Sequence, residues 1–161
     1  MEDLNRELAV YVLVRTDLPS MNAGKAMAQV HHAGVQMMAQ FGQRLKTQDY
    51  LADGVAQGAM YFNTTIVLGA TLDDIIQRGQ MAGAAGEHVV LFNTVTDPSY
   101  PFFVENTEVA DLIPEHVAKG IKLMPDGRVL MTREEITCAW FLGSRTSPEF
   151  TKLFENLTLH P

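Results

Sequence analysis

The chain has 161 residues, 47% of them hydrophobic and 19% charged, which is the size and composition of one ordinary globular domain and excludes a disordered or fibrous chain. Nineteen acidic residues against twelve basic ones give a formal net charge of −7, which counts against non-specific nucleic-acid binding through a broad basic surface but leaves room for a local basic cleft. A single cysteine, Cys138, excludes an internal disulfide framework. With no charged-then-apolar leader and no run of about 18 apolar residues, the expectation is a reduced, cytoplasmic setting with no membrane partner.

Residues 8–14, LAVYVLV, form a continuous apolar run rich in β-branched residues, which reads as a strand buried on both faces. Pro19 and Ser20 end it, and from about Asn22 to Arg44 the pattern becomes helical. Lys25, Gln29, His32, Gln36 and Gln40 share a narrow polar stripe on this helix, opposite Val30, Ala33, Gly34, Met37 and Phe41, and the helix is expected to be largely buried. Residues 47–58 fit either a short helix or a loop. A second strand is expected over 60–70, and Thr71 with Asp74 opens a helix that Gly86 ends. The third strand is expected over 88–95 and the fourth over 136–143.

The long stretch between them, 96–135, is too long for a plain loop. It contains Pro125-Asp126-Gly127 between two short apolar runs, a hairpin signal. Ser147 as N-cap with Pro148 at the first helical position starts a last helix. The order implies one α/β domain over 1–161, with a small mixed, partly parallel four-stranded sheet sandwiched between helices and an inserted β-hairpin between strands three and four. Strands one and two are expected to be parallel because a long crossover joins them.

Several groups carry little chemistry by their placement. His31 and His32 are adjacent, so they point to different sides of the helix and cannot chelate one metal; His31 falls in the apolar arc and reads as a core residue. GAAG at 83–86 sits at a helix end and lacks the rest of a dinucleotide fingerprint. Cys138, mid-strand among apolar residues, reads as an inert buried thiol. Lys25 stands apart. A cation in the first turn of a helix opposes the dipole at a cost of roughly 0.3–1 kcal/mol. Yet it lies at the end of the loop leaving the first strand, where α/β sheets place ligands, next to Gly24 and the free amides of a helix start. Spacing alone leaves open whether it is an anion site or a solvated lysine.

YVLVRTDL followed by GKAMAQVHHAG resembles the opening of the type 2 peptidyl-tRNA hydrolases, in which an apolar strand with an R-x-D-L-like end leads to G-K-x-A-A-Q-x-x-H-A on a helix. Gly24, Lys25, Gln29, His32 and Ala33 fall on that pattern in register, with Met27 replacing the first alanine of the pair. The resemblance implies an esterase, needing no cofactor or metal, that cleaves the ester between a peptidyl or N-blocked aminoacyl group and tRNA. Peptidyl-tRNA, or another anionic acyl ester, would be its partner. It implies catalytic roles for Lys25, Asp97 and Thr137, and substrate-binding roles for Gly24, Gln29, His32 and Arg15.

The family follows its aspartate with an A-G-R-T-Q-like run carrying another functional threonine. Here PSYPFF follows Asp97, with Pro101 at the threonine position. A non-catalytic or repurposed relative that binds another anionic ligand or a protein partner is the alternative reading. An apolar sheet edge or the inserted ribbon could support a homodimer, and Tyr100, Phe102 and Phe103 could form an exposed partner-binding patch.

Overall fold

The computed structural model describes residues 7–56, 63–105 and 122–161. Within them the chain runs β1 (Leu8–Arg15), α1 (Ala23–Phe41), α2 (Leu45–Ala56), β2 (Thr65–Ala70), α3 (Leu72–Ala85), β3 (Val90–Glu105), β4 (Lys122–Leu123), β5 (Arg128–Ser144), α4 (Pro148–Thr151), a 3-10 turn (Lys152–Phe154) and β6 (Thr158–Leu159). None of the described helices is long and apolar enough to cross a membrane.

The fold is mixed α/β. Among the described residues the sheet has six strands rather than four, in the order β3-β5-β1-β2-β6 with β4 paired to β5. β1 and β2 are parallel and the other pairs antiparallel. Alternation along each strand divides two cores. Val10, Val12 and Val14 of β1 join Cys138, Trp140 and Leu142 of β5 under α1 and α2. Leu13, Ala139 and Phe141 pack on the opposite face with Ile75 and Ala82 of α3 and with Phe150, Leu153 and Phe154. Both faces of the central strands are thus covered, as their continuous apolar runs require.

Local signals set the helix starts. The Asn22 side chain accepts from the Lys25 amide and caps α1; Thr71 and Asp74 make a reciprocal capping box on α3; Ser147 and Pro148 start α4. Residues 45–56 are helical, which settles the helix-or-loop ambiguity over 47–56; residues 57 and 58 lie outside the described residues.

The expected boundaries fail on the segment between strands three and four. β3 does not stop at Val95 but continues to Glu105, and β5 begins at Arg128 rather than 136, so the two pair over their whole length as one long antiparallel arm. The Pro125-Asp126-Gly127 turn does form, closed by the Gly127 amide on Met124 O at 3.0 Å and with Gly127 at φ 84°. Its second strand is not a separate ribbon, however, but the first part of β5. Pro98 and Pro101 sit in a strand at the end of the described sheet order, where a missing amide donor is tolerated. Residues 60–62 of the expected second strand and residues 106–121 lie outside the described residues.

The helix α1 is less buried than expected. Ala26, Gln29, Ala33 and Met37 face the sheet, while Met27, His31, Gly34, Val35 and Met38 are exposed. The glutamines of the polar stripe reach the sheet: Gln36 accepts from Trp140 Nε1 at 2.9 Å and donates to Thr94 O at 3.1 Å, and Gln40 accepts from Asn93 Nδ2 at 2.6 Å. The glutamines of the stripe are thus polar fasteners between α1 and the sheet.

Gly143 of β5 lies under Phe150, and an added Cβ would run into that ring. Gly143→Ala should therefore destabilise the protein by about 1–3 kcal/mol through overpacking, read as a lower urea midpoint at unchanged slope.

Candidate active site

The site forms where β1 ends and α1 begins, against the start of the β3–β5 arm. Two irregularities in the β3–β5 ladder bracket Asp97. Val95 pairs with Cys138 and Thr96 with Ile136, leaving Thr137 as an extra residue on β5; Asp97 pairs with Glu135 and Tyr100 with Arg133, leaving an extra residue on β3. Such bulges re-aim side chains. The first allows Thr137, like its neighbour Cys138, to reach α1: the Thr137 hydroxyl donates to Gln29 Oε1 at 2.7 Å, and the Cys138 thiol approaches Gln29 O at 3.5 Å. Burial pushes the Cys138 thiol up to about 12, so it stays protonated and unreactive.

Gln29 is 4% exposed and Thr137 fully buried. With its carbonyl oxygen held by Thr137, the Gln29 amide turns its Nε2 outward and donates to Asp97 Oδ2 at 3.2 Å. The other carboxylate oxygen, Oδ1, accepts from the Ser99 amide at 2.9 Å. Thr137 therefore reaches Asp97 through Gln29 and not directly.

Lys25 precedes Gln29 by one helical turn and so shares its face of α1. Its ammonium lies 5.0 Å from the centre of the Tyr100 ring, a cation–π distance, and donates to Pro101 O at 3.3 Å. Burial pushes the Lys25 pKa below the ordinary lysine value, and the nearby negative charge of Asp97 works against that shift. The Ser20 hydroxyl donates to Pro101 O at 2.6 Å and lies 3.2 Å from Tyr100 Oη. At the helix start the Lys25 amide is taken by Asn22 Oδ1 and the Ala26 amide by Asn22 O. Gly24 is exposed, and a Cβ there would meet only Asn22 Oδ1 at 3.4 Å, so the surface beside the lysine stays open.

Three sequence expectations change here. Arg15 is 5% exposed and its guanidinium is held by Asp17, by Glu135 at 2.9 Å and by Ile136 O at 2.9 Å. Burial alone would lower its pKa, but hydrogen bonds to the two carboxylates raise it overall. The R-x-D-L end of β1 is thus a clamp that joins β1 to β5, and Asp17 extends it to the Leu72 amide at the start of α3. His32 is exposed on α1 and hydrogen-bonds to none of the cluster. Tyr100 is buried, leaving Phe103 as the exposed ring of the expected aromatic patch. Sequence reasoning took Tyr100 only for a surface ring and gave Ser20 no part in the site, because the approach of Tyr100 and Pro101 to both Lys25 and Ser20 depends on the bulge that follows Asp97.

A cleft of about 530 Å³ opens beside this cluster, with Ser20, Asn22 and Lys25 on one wall and Phe103, Glu105 and Arg128 of the arm on the other. An apolar hollow beside α1 contains neither Lys25 nor Asp97 and holds none of this chemistry.

Comparison with protein families matches residues 8–89, just over half of the chain, to Peptidyl-tRNA hydrolase PTH2. No curated protein matches it. The matched stretch runs from β1 through α3 and carries the Lys25–Gln29 face, while Asp97 and Thr137 lie beyond it. By this match, the chain belongs to the type 2 peptidyl-tRNA hydrolase family.

Proposed function

We propose that the protein hydrolyses the ester between a peptidyl or N-blocked aminoacyl group and the terminal ribose of tRNA, as one cytoplasmic domain acting without a cofactor. The observation that supports this most is the convergence of Lys25 and Gln29, on one helix face, with the Asp97 carboxylate. Asp97 is partly exposed and its two oxygens are oriented by the Gln29 side chain and the Ser99 amide. It accepts a proton from water as that water attacks the ester carbon. Lys25, together with the Ala23 and Gly24 amides of the helix start, which take no partner among the described residues, stabilises the oxyanion that develops on the carbonyl oxygen. The bond to the ribose oxygen then breaks, the Asp97 carboxyl returns the proton to that oxygen, and the products are the free acid and tRNA with its hydroxyl restored. Thr137 is a positioning residue, acting through Gln29. Where the family pattern has a threonine, Pro101 offers only a carbonyl, and Ser20 brings a hydroxyl to the same place.

The second reading, a relative that binds without turnover, draws on that same carbonyl, which already takes one donor from Lys25. Purified protein incubated with N-blocked aminoacyl-tRNA separates the two: cleavage supports the hydrolase, and saturable binding with no cleavage at high protein concentration supports the binder.

For the hydrolase, Lys25→Ala should lower kcat by about 10²–10³-fold, the loss of one oxyanion donor, with an unchanged circular dichroism spectrum. Retained turnover would sink the assignment. Catalysis needs the ammonium form, and the Lys25 pKa is lowered, so kcat/KM corrected for spontaneous hydrolysis should fall as pH rises through a midpoint below the ordinary lysine value of about 10.4. Lys25→Arg should carry that limb out of the lysine range. Thr137→Val leaves Gln29 Oε1 buried without its donor, so it should cost about 1–3 kcal/mol of stability and reduce kcat, whereas Thr137→Ser should keep both.

A further inference from the structure

We infer that the cleft between the start of α1 and the β3–β5 arm is a nucleobase subsite, in which the terminal nucleotide of the substrate stacks on the Arg128–Phe103 pair while its acyl ester reaches Lys25. The identity of that nucleotide as the end of a tRNA rests on the function proposed above; the stacking surface rests on the arm itself. Arg128 and Phe103 line the same cleft as Lys25. Its volume, about 530 Å³, falls within the range of small-molecule sites.

The Arg128 guanidinium lies 4.7 Å from the centre of the Phe103 ring. Asp126 holds it at 2.8 Å through Nε and 2.7 Å through Nη2, and the Asp126 carboxylate also accepts from the Arg128 amide at 3.1 Å. Asp126 therefore neutralises much of the charge and fixes the plane. What the pair presents is a flat, polarisable surface, a guanidinium held by its carboxylate partner beside a phenyl ring that is 41% exposed. Planar guanidinium groups and aromatic rings are the platforms on which unpaired bases stack.

The rest of the lining favours a nucleotide over a peptide side chain. Ser20, Asn22 and Lys25 supply hydroxyl, amide and ammonium groups, partners for ribose hydroxyls and a phosphate. A pocket for an apolar side chain would be walled mainly by apolar groups. The neighbouring pair, Arg133 over Phe102 at 4.8 Å, is tied to Glu135 at 2.7 Å and lies off the cleft. The subsite stands on the part of the chain that departs from the family's sequence pattern, so it would set a selectivity particular to this protein.

The test is a titration of the full chain with adenosine 5′-monophosphate, followed by amide chemical shifts, alongside an N-acetylated dipeptide amide. Saturable shifts at residues 102–104 and 128–130 are expected for the nucleotide and not for the dipeptide. Phe103→Ala and Arg128→Ala should each weaken nucleotide binding tenfold or more with unchanged thermal unfolding. Arg128→Lys should weaken it as much as the alanine, since a plane and not a charge is lost. No saturable nucleotide binding, undiminished binding in the variants, full binding by Arg128→Lys, or dipeptide binding at the arm would each overturn the inference. If wild-type protein binds the nucleotide at the arm but does not cleave N-blocked aminoacyl-tRNA, the hydrolase reading fails while the subsite stands; cleavage without nucleotide binding at the arm is the reverse.

Discussion

Burying the carboxamide of Gln29 between α1 and the sheet strips it of water, and an amide left unpaired there would cost about 1–3 kcal/mol. Thr137 and Asp97 take up its acceptor and donor, one on each strand of the β3–β5 pair. The three groups fit together at only one setting of the helix against the strands. Gln36 and Gln40 repeat the arrangement further along α1, so the helix can neither slide nor roll by a turn without orphaning several polar groups at once. The position of Lys25, one turn before Gln29, follows from that register.

The bulges make this arrangement possible. A regular β5 would send Thr137 and Cys138 to opposite faces; the extra residue at Thr137 lets both meet α1. The second irregularity, after Asp97, turns the Tyr100 ring beneath Lys25 and brings the Pro101 carbonyl to its ammonium. Beyond that point the ladder resumes and carries β3 and β5 past the body of the sheet, which gives the Lys25 cleft its second wall. The Arg15 clamp braces the other side, joining the end of β1 to β5 two residues before Thr137.

Much of this was legible in the residues. Continuous apolar runs marked β1 and the last part of β5, and capping chemistry at Thr71, Asp74, Ser147 and Pro148 marked the starts of α3 and α4. The parallel pairing of β1 with β2 followed from the crossover between them. The arm was not legible because Pro98 and Pro101 carry the same signal whether they end a strand or sit in one at the margin of a sheet. The inward direction of Gln29, Gln36 and Gln40 was hidden as well: periodicity shows that polar residues share a face, not whether that face meets water or a set of waiting partners. Arg15 illustrates the same limit, since a basic residue at a strand end looks alike whether it awaits a ligand or is already bound by Asp17 and Glu135. β6, two residues long, carries no periodic signal.

The prolines have a second effect. β3 ends the described strand order, and a long flat strand in that place is a template onto which another chain can add through its backbone amides and carbonyls. Pro98 and Pro101 remove two amides from it, and the bulge between them breaks the straight repeat that an incoming strand would have to match. The same few residues that replace the family's threonine run therefore make this margin a poor seed for intermolecular β-structure, a safeguard of practical weight for a chain with a long, aromatic-rich terminal strand.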